Sequence, residues 1–228
     1  MLKVGLTGGL ASGKTFVGEE LARLGCLLIQ ADELGHEVLS PGGEAYAAVV
    51  AEFGAEILSA EGGIDRGRLA AEVFRTPERL ARLNALVHPP VLEREEELMA
   101  RFRQDRPDGI AIVEAAILIE AGRYKDFDRM ILVYCRPEQQ LERALRRPGA
   151  TEADVRARLA RQMPLEEKKK YANFAIDTSG DKEDTLRQTR AVWEALANGR
   201  QAARPKRVEP KCIKPKCIKP KCIKKAEP

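Results

Sequence analysis

Residues 8–15 read Gly8-Gly9-Leu10-Ala11-Ser12-Gly13-Lys14-Thr15, a complete G-x-x-x-x-G-K-[ST] loop. A short apolar run, Leu2 to Thr7, precedes it, and an amphipathic stretch, Phe16 to Leu24, follows. A strand is therefore expected before the loop and a helix after it. In that setting the glycines let successive backbone N–H groups curl around a phosphate, and the helix points its positive dipole end at the same anion. Lys14 is expected to reach the β- and γ-phosphates, and the Thr15 hydroxyl to ligate Mg²⁺. The expected nucleotide cradle runs through Gly8, Gly9, Leu10, Ala11, Ser12, Gly13, Lys14, Thr15 and Phe16.

Four further strands are read at Cys26 to Gln30, Gly109 to Glu114, Arg129 to Cys135 and Phe174 to Asp177. Each is a continuous apolar run rather than an alternating one, the pattern of parallel strands buried on both faces. Helical patterns separate them, which predicts an α/β fold: a five-stranded parallel sheet with helices on both sides, in three layers. The interval from residue 31 to residue 108 is too long for one crossover. It holds helical stretches at Glu33 to Leu39, Glu44 to Phe53 and Arg68 to Arg103, the last expected to be interrupted by Pro89 and Pro90. This reads as a helical insertion that binds a second substrate. A further insertion follows Cys135: Glu138 to Arg147, a Pro148-Gly149 turn, then Thr151 to Met163 with a capping-box-like start at Thr151 and Asp154. Pro164 is expected to end that helix, with Glu166 to Tyr171 as another charged turn. Arginine-rich helices on either side of a turn suit a lid over phosphates, although a solvated charged face would look similar. Asp181 to Ala197 closes the fold as an amphipathic helix, and Asp177-Thr178-Ser179-Gly180 reads as a turn on the rim of the nucleotide base.

The net charge of +4 is misleading if spread over the chain. From Gly199 onward eleven Lys or Arg face two Glu, so residues 1–198 carry −5 and the positive charge belongs to the tail. Charge therefore lends no support to nucleic-acid binding by the body. No apolar run approaches the roughly 20 residues needed to span a bilayer. The first strand begins at once after Met1, leaving no room for a signal peptide, so the cytoplasm is the expected location. Cys26 and Cys135 sit in apolar runs as small core residues. Cys212, Cys217 and Cys222 belong to a Pro-Lys-Cys-Ile-Lys unit repeated three times between Pro210 and Lys224. The proline and charge of that unit predict disorder, and its cysteine spacing is not that of a zinc site.

The loop alone admits GTPases, large ATPases and small-molecule kinases. No Asn-Lys-x-Asp guanine-reading segment is present, and a motor ATPase would need a longer chain. A compact body with a helical insertion and a basic lid points to a small-molecule kinase; a non-catalytic ATP-binding module is the rival of a different class. Phosphoryl transfer needs Mg²⁺, positive charge over the γ-phosphate and a carboxylate near the attacking hydroxyl. Asp32 follows the second strand at the carboxyl end of the sheet, where ligands bind in open α/β folds. It is placed to orient or deprotonate a hydroxyl, or equally to cap the helix that begins there. Glu114 ends the third strand, where an indirect Mg²⁺ ligand would stand; a salt bridge is the alternative.

At this point the chain resembles the dephospho-CoA kinase family over residues 1 to about 195. Leu6-Thr7-Gly8-Gly9 and Ser12-Gly13-Lys14 match the family's opening loop, and Ala31-Asp32 matches the end of its Asp-Ala-Asp segment. Phe53-Gly54, Ile64-Asp65-Arg66 and the segment carrying Leu83, His88 and Pro89 follow in order. Leu118 and Glu120 align with the end of a Pro-Leu-Leu-x-Glu segment. Gln140-Leu141, Arg143 and Arg147 match the lid entrance, and Gln162 falls at the lid's return. Gln30 replaces the first Asp of Asp-Ala-Asp, Ala116 stands where the family has proline, and the repeated tail is outside the pattern.

The resemblance implies a P-loop NTPase fold in which residues 1–198 form the kinase domain. The acceptor-binding insertion would span about 33–108, the lid about 143–172, and a basic tail 199–228. It implies transfer from ATP, with Mg²⁺, to the ribose 3′-hydroxyl of dephospho-CoA. Asp32, Lys14, Arg143 and Arg147 would be catalytic. Asp32, His88, Leu118 and Glu120 would line the acceptor site, with His88 given no proton-transfer role. Thr15 and, indirectly, Glu114 would hold the metal.

Overall fold

Residues alternate across the third strand: Ile110 and Ile112 enter one buried cluster, Ala111 and Val113 the other. A strand apolar on both faces must be covered on both, and this requirement builds the three layers. The structure, a computed structural model, describes residues 1–199. Its strands are β1 (Leu2–Gly8), β2 (Leu27–Gln30), β3 (Ile110–Glu114), β4 (Arg129–Tyr134) and β5 (Phe174–Asp177), each within a residue of the expected bounds. All neighbours are parallel, in the order β2-β3-β1-β4-β5. Successive crossovers leave β1 in opposite directions, so the loop after β1 lies at the topological switch point, where open α/β sheets bind ligands.

One face is covered by α1 (Lys14–Arg23) and α9 (Lys182–Asn198), through Val17, Leu21, Val192 and Leu196. Glu20 ties these two helices, accepting from Arg190 Nε at 2.9 Å. The other face is covered by α2 (Ala31–Val38), α3 (Tyr46–Phe53), α4 (Arg66–Val73) and α5 (Pro77–Asp105). Between β4 and β5 lie α6 (Pro137–Leu145), α7 (Glu152–Arg161) and α8 (Leu165–Lys169), the segment where a lid is expected. The capping expected at Thr151 is present: its hydroxyl accepts from Asp154 N and donates to the Asp154 carboxylate.

The structure corrects the reading of residues 68–103. The chain breaks at Phe74–Thr76, between α4 and α5, and Pro89 and Pro90 lie inside a continuous 29-residue helix. Two adjacent prolines deprive Ala85 and Leu86 of their i→i−4 donors and would ordinarily end a helix, at a cost of about 3 kcal/mol or more. Here Leu83, Leu86 and Val87 before them and Val91 and Met99 after them pack on the same core, holding both halves in line. The preceding helix ends at Val73, and Thr76 starts α5 anew, capping it by accepting from Arg79 N, with Pro77 at its first turn. The helix carrying Arg161 also ends before Pro164 is reached. The tail repeats and their expected disorder lie outside the described residues.

Candidate active site

The phosphate loop is held in an unusual backbone shape. Gly13 has φ +88° and Ala11 φ +55°, the left-handed region that costs a side-chain-bearing residue about 1–2 kcal/mol. Gly8 is required for space, since a Cβ there would lie 2.1 Å from the Val133 carbonyl oxygen of β4. Gly13 caps α1 without a side-chain bond, and the helix has no acidic residue in its first turn. Its first N–H groups, free of intrahelical partners, therefore face the loop with no carboxylate among them. Lys14 folds back over this shell, its Nζ donating to Gly9 O at 3.1 Å and Gly8 O at 3.4 Å.

Charges from four other segments act on Lys14. Burial lowers its pKa, Glu114 and Asp32 push it up, and Lys168 and Arg147 push it down. Asp32 is thus on the same site as the phosphate loop, although it lies on a different connection. The capping alternative is excluded: Asp32 lies inside α2, whose N-cap is Gln30 without a side-chain bond. The Asp32 side chain is exposed and makes no hydrogen bond that competes with an incoming hydroxyl among the described residues. Glu114, at the end of β3, accepts from the Thr15 hydroxyl at 3.1 Å. A hydroxyl that gives its proton to a carboxylate keeps its lone pairs for a cation. The Gln30 amide donates to Glu114 at 3.5 Å in one orientation and, turned over, to Glu33 at 3.0 Å. Burial raises the Glu114 pKa against the opposing effects of Thr15, Lys14 and Gln30.

The two arginines expected at the lid have different surroundings. Arg147, just past α6, is exposed and its charge reaches Lys14. Arg143 is engaged: it donates to Thr178 Oγ1 at 3.1 Å and Thr178 O at 2.8 Å. Thr178, in the turn after β5, in turn donates to Ser12 O at 2.8 Å. Arg143 therefore braces the phosphate loop from behind through Thr178.

On the acceptor side the structure separates what the sequence grouped. Leu118 is only 2% exposed and belongs to the core, so its side chain backs the site and cannot touch an acceptor. Its neighbour Ile117 is 51% exposed on the same loop after β3. Leu118→Ala is expected to destabilise the fold by about 2–5 kcal/mol, read by denaturant unfolding, while Ile117→Ala leaves stability within about 0.5 kcal/mol. Equal stability of the two variants would contradict this placement. His88 answers to partial desolvation and to Arg123, which lower its pKa, and to Glu95, which raises it; it is not among the groups that act on Lys14. Glu120 is already engaged by protein, accepting from Met163 N at 3.1 Å and lying 2.8 Å from Lys168 Nζ. Lys168 is not marked by any motif in the sequence; Thr178 and Gln162 are, but their partners are not, and the structure supplies them: Thr178 donates to Ser12 O, and Gln162 Oε1 accepts from Leu10 N at 2.9 Å.

Comparison with known proteins agrees with this geometry. A family profile described as dephospho-CoA kinase matches residues 2–184. The dephospho-CoA kinase of Thermobifida fusca is 42% identical over 196 residues, spanning 86% of this chain and 96% of that protein. That of Aquifex aeolicus is 39% identical over 196 residues, spanning 86% and 98%. A crystal structure from Thermus thermophilus superposes with a TM-score of 0.70 at 30% identity, covering 86% of this chain and 97% of the other. The dephospho-CoA kinase of Campylobacter jejuni superposes at 0.64 with 27% identity, covering 87% and 98%. Among the described residues, no helix is long and apolar enough to cross a membrane.

Proposed function

The chain belongs to the dephospho-CoA kinase family and phosphorylates dephospho-CoA in an ATP-dependent reaction of coenzyme A biosynthesis, and we propose that Asp32 directs the acceptor's ribose 3′-hydroxyl onto the γ-phosphate held at Lys14. The observation that carries this reading is geometric: the parallel sheet puts Lys14, just past β1, and Asp32, just past β2, at the same carboxyl edge, and the Asp32 charge acts on Lys14.

In the step, the 3′-oxygen forms a bond to the γ-phosphorus while the bond from that phosphorus to the β–γ bridging oxygen breaks. The hydroxyl proton passes to the Asp32 carboxylate, and ADP leaves with the bonding electron pair. Lys14 and the N–H groups at the start of α1 bind the donor phosphates, and Arg147 adds positive charge from the lid side. The oxygen donors at Thr15 and Glu114 fit Mg²⁺, Thr15 with its lone pairs free and Glu114 behind it. When bound, the ion neutralises charge on the donor phosphates. Ile117 and the helices α2 to α5 provide the acceptor wall, and the reaction belongs to the cytoplasm, where ATP is available.

The test is ADP release from ATP with Mg²⁺ in the presence of dephospho-CoA, a nucleoside monophosphate or a sugar acid. Turnover above the acceptor-free background is expected only with dephospho-CoA. Turnover with either alternative and none with dephospho-CoA would overturn the reading.

A further inference from the structure

Lys168 is the largest fully buried side chain of the fold, although its formal charge should keep it in water. Its ammonium lies 2.8 Å from Glu120 Oε1. Neither Lys168 Nζ nor the second Glu120 oxygen, Oε2, makes a well-aligned hydrogen bond among the described residues. Such a pair is weak evidence for stability, because desolvating two charges offsets most of their attraction. Its position is more informative than its energy. Glu120 Oε1 also accepts from the backbone N–H of Met163 at 3.1 Å. The residue before it, Gln162, accepts from the backbone N–H of Leu10 in the phosphate loop at 2.9 Å. The lid's return is therefore fixed at two successive residues, one to the loop after β3 and one to the phosphate loop. Gln140, on α6 at the lid's other end, comes so near that a Cβ on Gly9 would lie 2.0 Å from its Nε2.

We propose that Lys168 and Glu120 form a clasp that sets the returning end of the lid, so that Gln162 holds Leu10 and keeps the phosphate loop in its working shape. Both clasp residues are positioning residues. Lys168 holds the Glu120 carboxylate, Glu120 fixes the Met163 amide, and that amide fixes the register of Gln162 on the loop. Without the clasp Gln162 loses its register, and the strained backbone at Ala11 loses an adjacent restraint. Glu120, grouped from sequence with the acceptor contacts, thereby serves the donor side.

The inference rests on the kinase reading above, and the experiment separates the two. Full-length parent, Gln162→Ala, Lys168→Met and the combined variant are assayed with ATP and dephospho-CoA, and each is melted thermally. Gln162→Ala is expected to lower kcat/KM for ATP on the order of a hundredfold, the scale of a misplacement of about 1 Å, at an almost unchanged melting temperature. Lys168→Met should show the same kinetic defect, and the combined variant should be no worse than the more impaired single one, because both act through one contact. Losses that multiply in the combined variant, or normal kinetics in Lys168→Met, would overturn the proposal.

Should Lys168→Met fail to fold by stranding Glu120, Lys168→Met with Glu120→Leu removes both charges and takes its place. That pair is expected to regain the parent's melting temperature but not its turnover. Recovery of both would show the clasp to be purely structural and overturn the proposal. A parent inactive on dephospho-CoA would instead overturn the kinase reading.

Discussion

Asp32→Asn is expected to lower turnover with dephospho-CoA at least about a hundredfold, the lower end of what a positioned acid or base contributes. The substitution keeps the shape of the side chain and removes the proton acceptor. It should cost little in folding, because Asp32 is exposed and makes no capping bond. ATP binding should be close to that of the parent, or slightly tighter. Asp32 pushes the Lys14 pKa upward, so its negative charge is felt at the donor site, and deleting it removes repulsion from the phosphates. Steady-state kinetics and ATP calorimetry on the same preparation separate the two effects. Unchanged turnover would remove Asp32 from the transfer step, and loss of ATP binding would move it to the donor side.

Lys14→Met is expected to act on the opposite partner. Its ammonium is held over the loop by the carbonyls of Gly8 and Gly9 and is largely desolvated, which is where a cation bears most strongly on developing charge. Methionine retains the apolar stem and loses the charge. Asp32 and Glu114 would then face the phosphates without this counter-charge, so both ATP affinity and turnover should fall. The loss in kcat/KM should be on the order of 10²–10³, as for removal of one preorganised donor. Lys14→Arg should not restore it, because a planar fork cannot replace a compact ammonium between two carbonyls. Full activity in Lys14→Arg would show that only net charge is needed there.

The strands were legible because a parallel strand covered on both faces is a plain apolar run, and all five were found within a residue. The phosphate loop was legible because its chemistry is local: glycines, a lysine and a hydroxyl at set spacing. Asp32 was legible in place but not in role, since a residue after a strand can cap the next helix; the start of α2 at Ala31 removes that alternative. The prolines at 89 and 90 misled because local propensity yields to two flanking sets of core contacts. Leu118 and Ile117 show the same limit at single-residue scale. Two adjacent apolar residues in a loop carry no period that says which faces the core. The contacts of Thr178 with Ser12, Gln162 with Leu10 and Lys168 with Glu120 join residues far apart in the chain, and only the folded sheet brings them together.

The placement of an acceptor hydroxyl between Asp32 and the γ-phosphate is tested most directly by the position of the new phosphate. Purified chain, ATP, Mg²⁺ and dephospho-CoA are incubated, and the product is examined by phosphorus NMR beside authentic coenzyme A. The expected result is one new monoester signal coincident with the 3′-phosphate of coenzyme A, formed together with ADP and strongly reduced in Asp32→Asn. A phosphate at another hydroxyl, or a 3′-phosphate formed as fast by Asp32→Asn as by the parent, would contradict it.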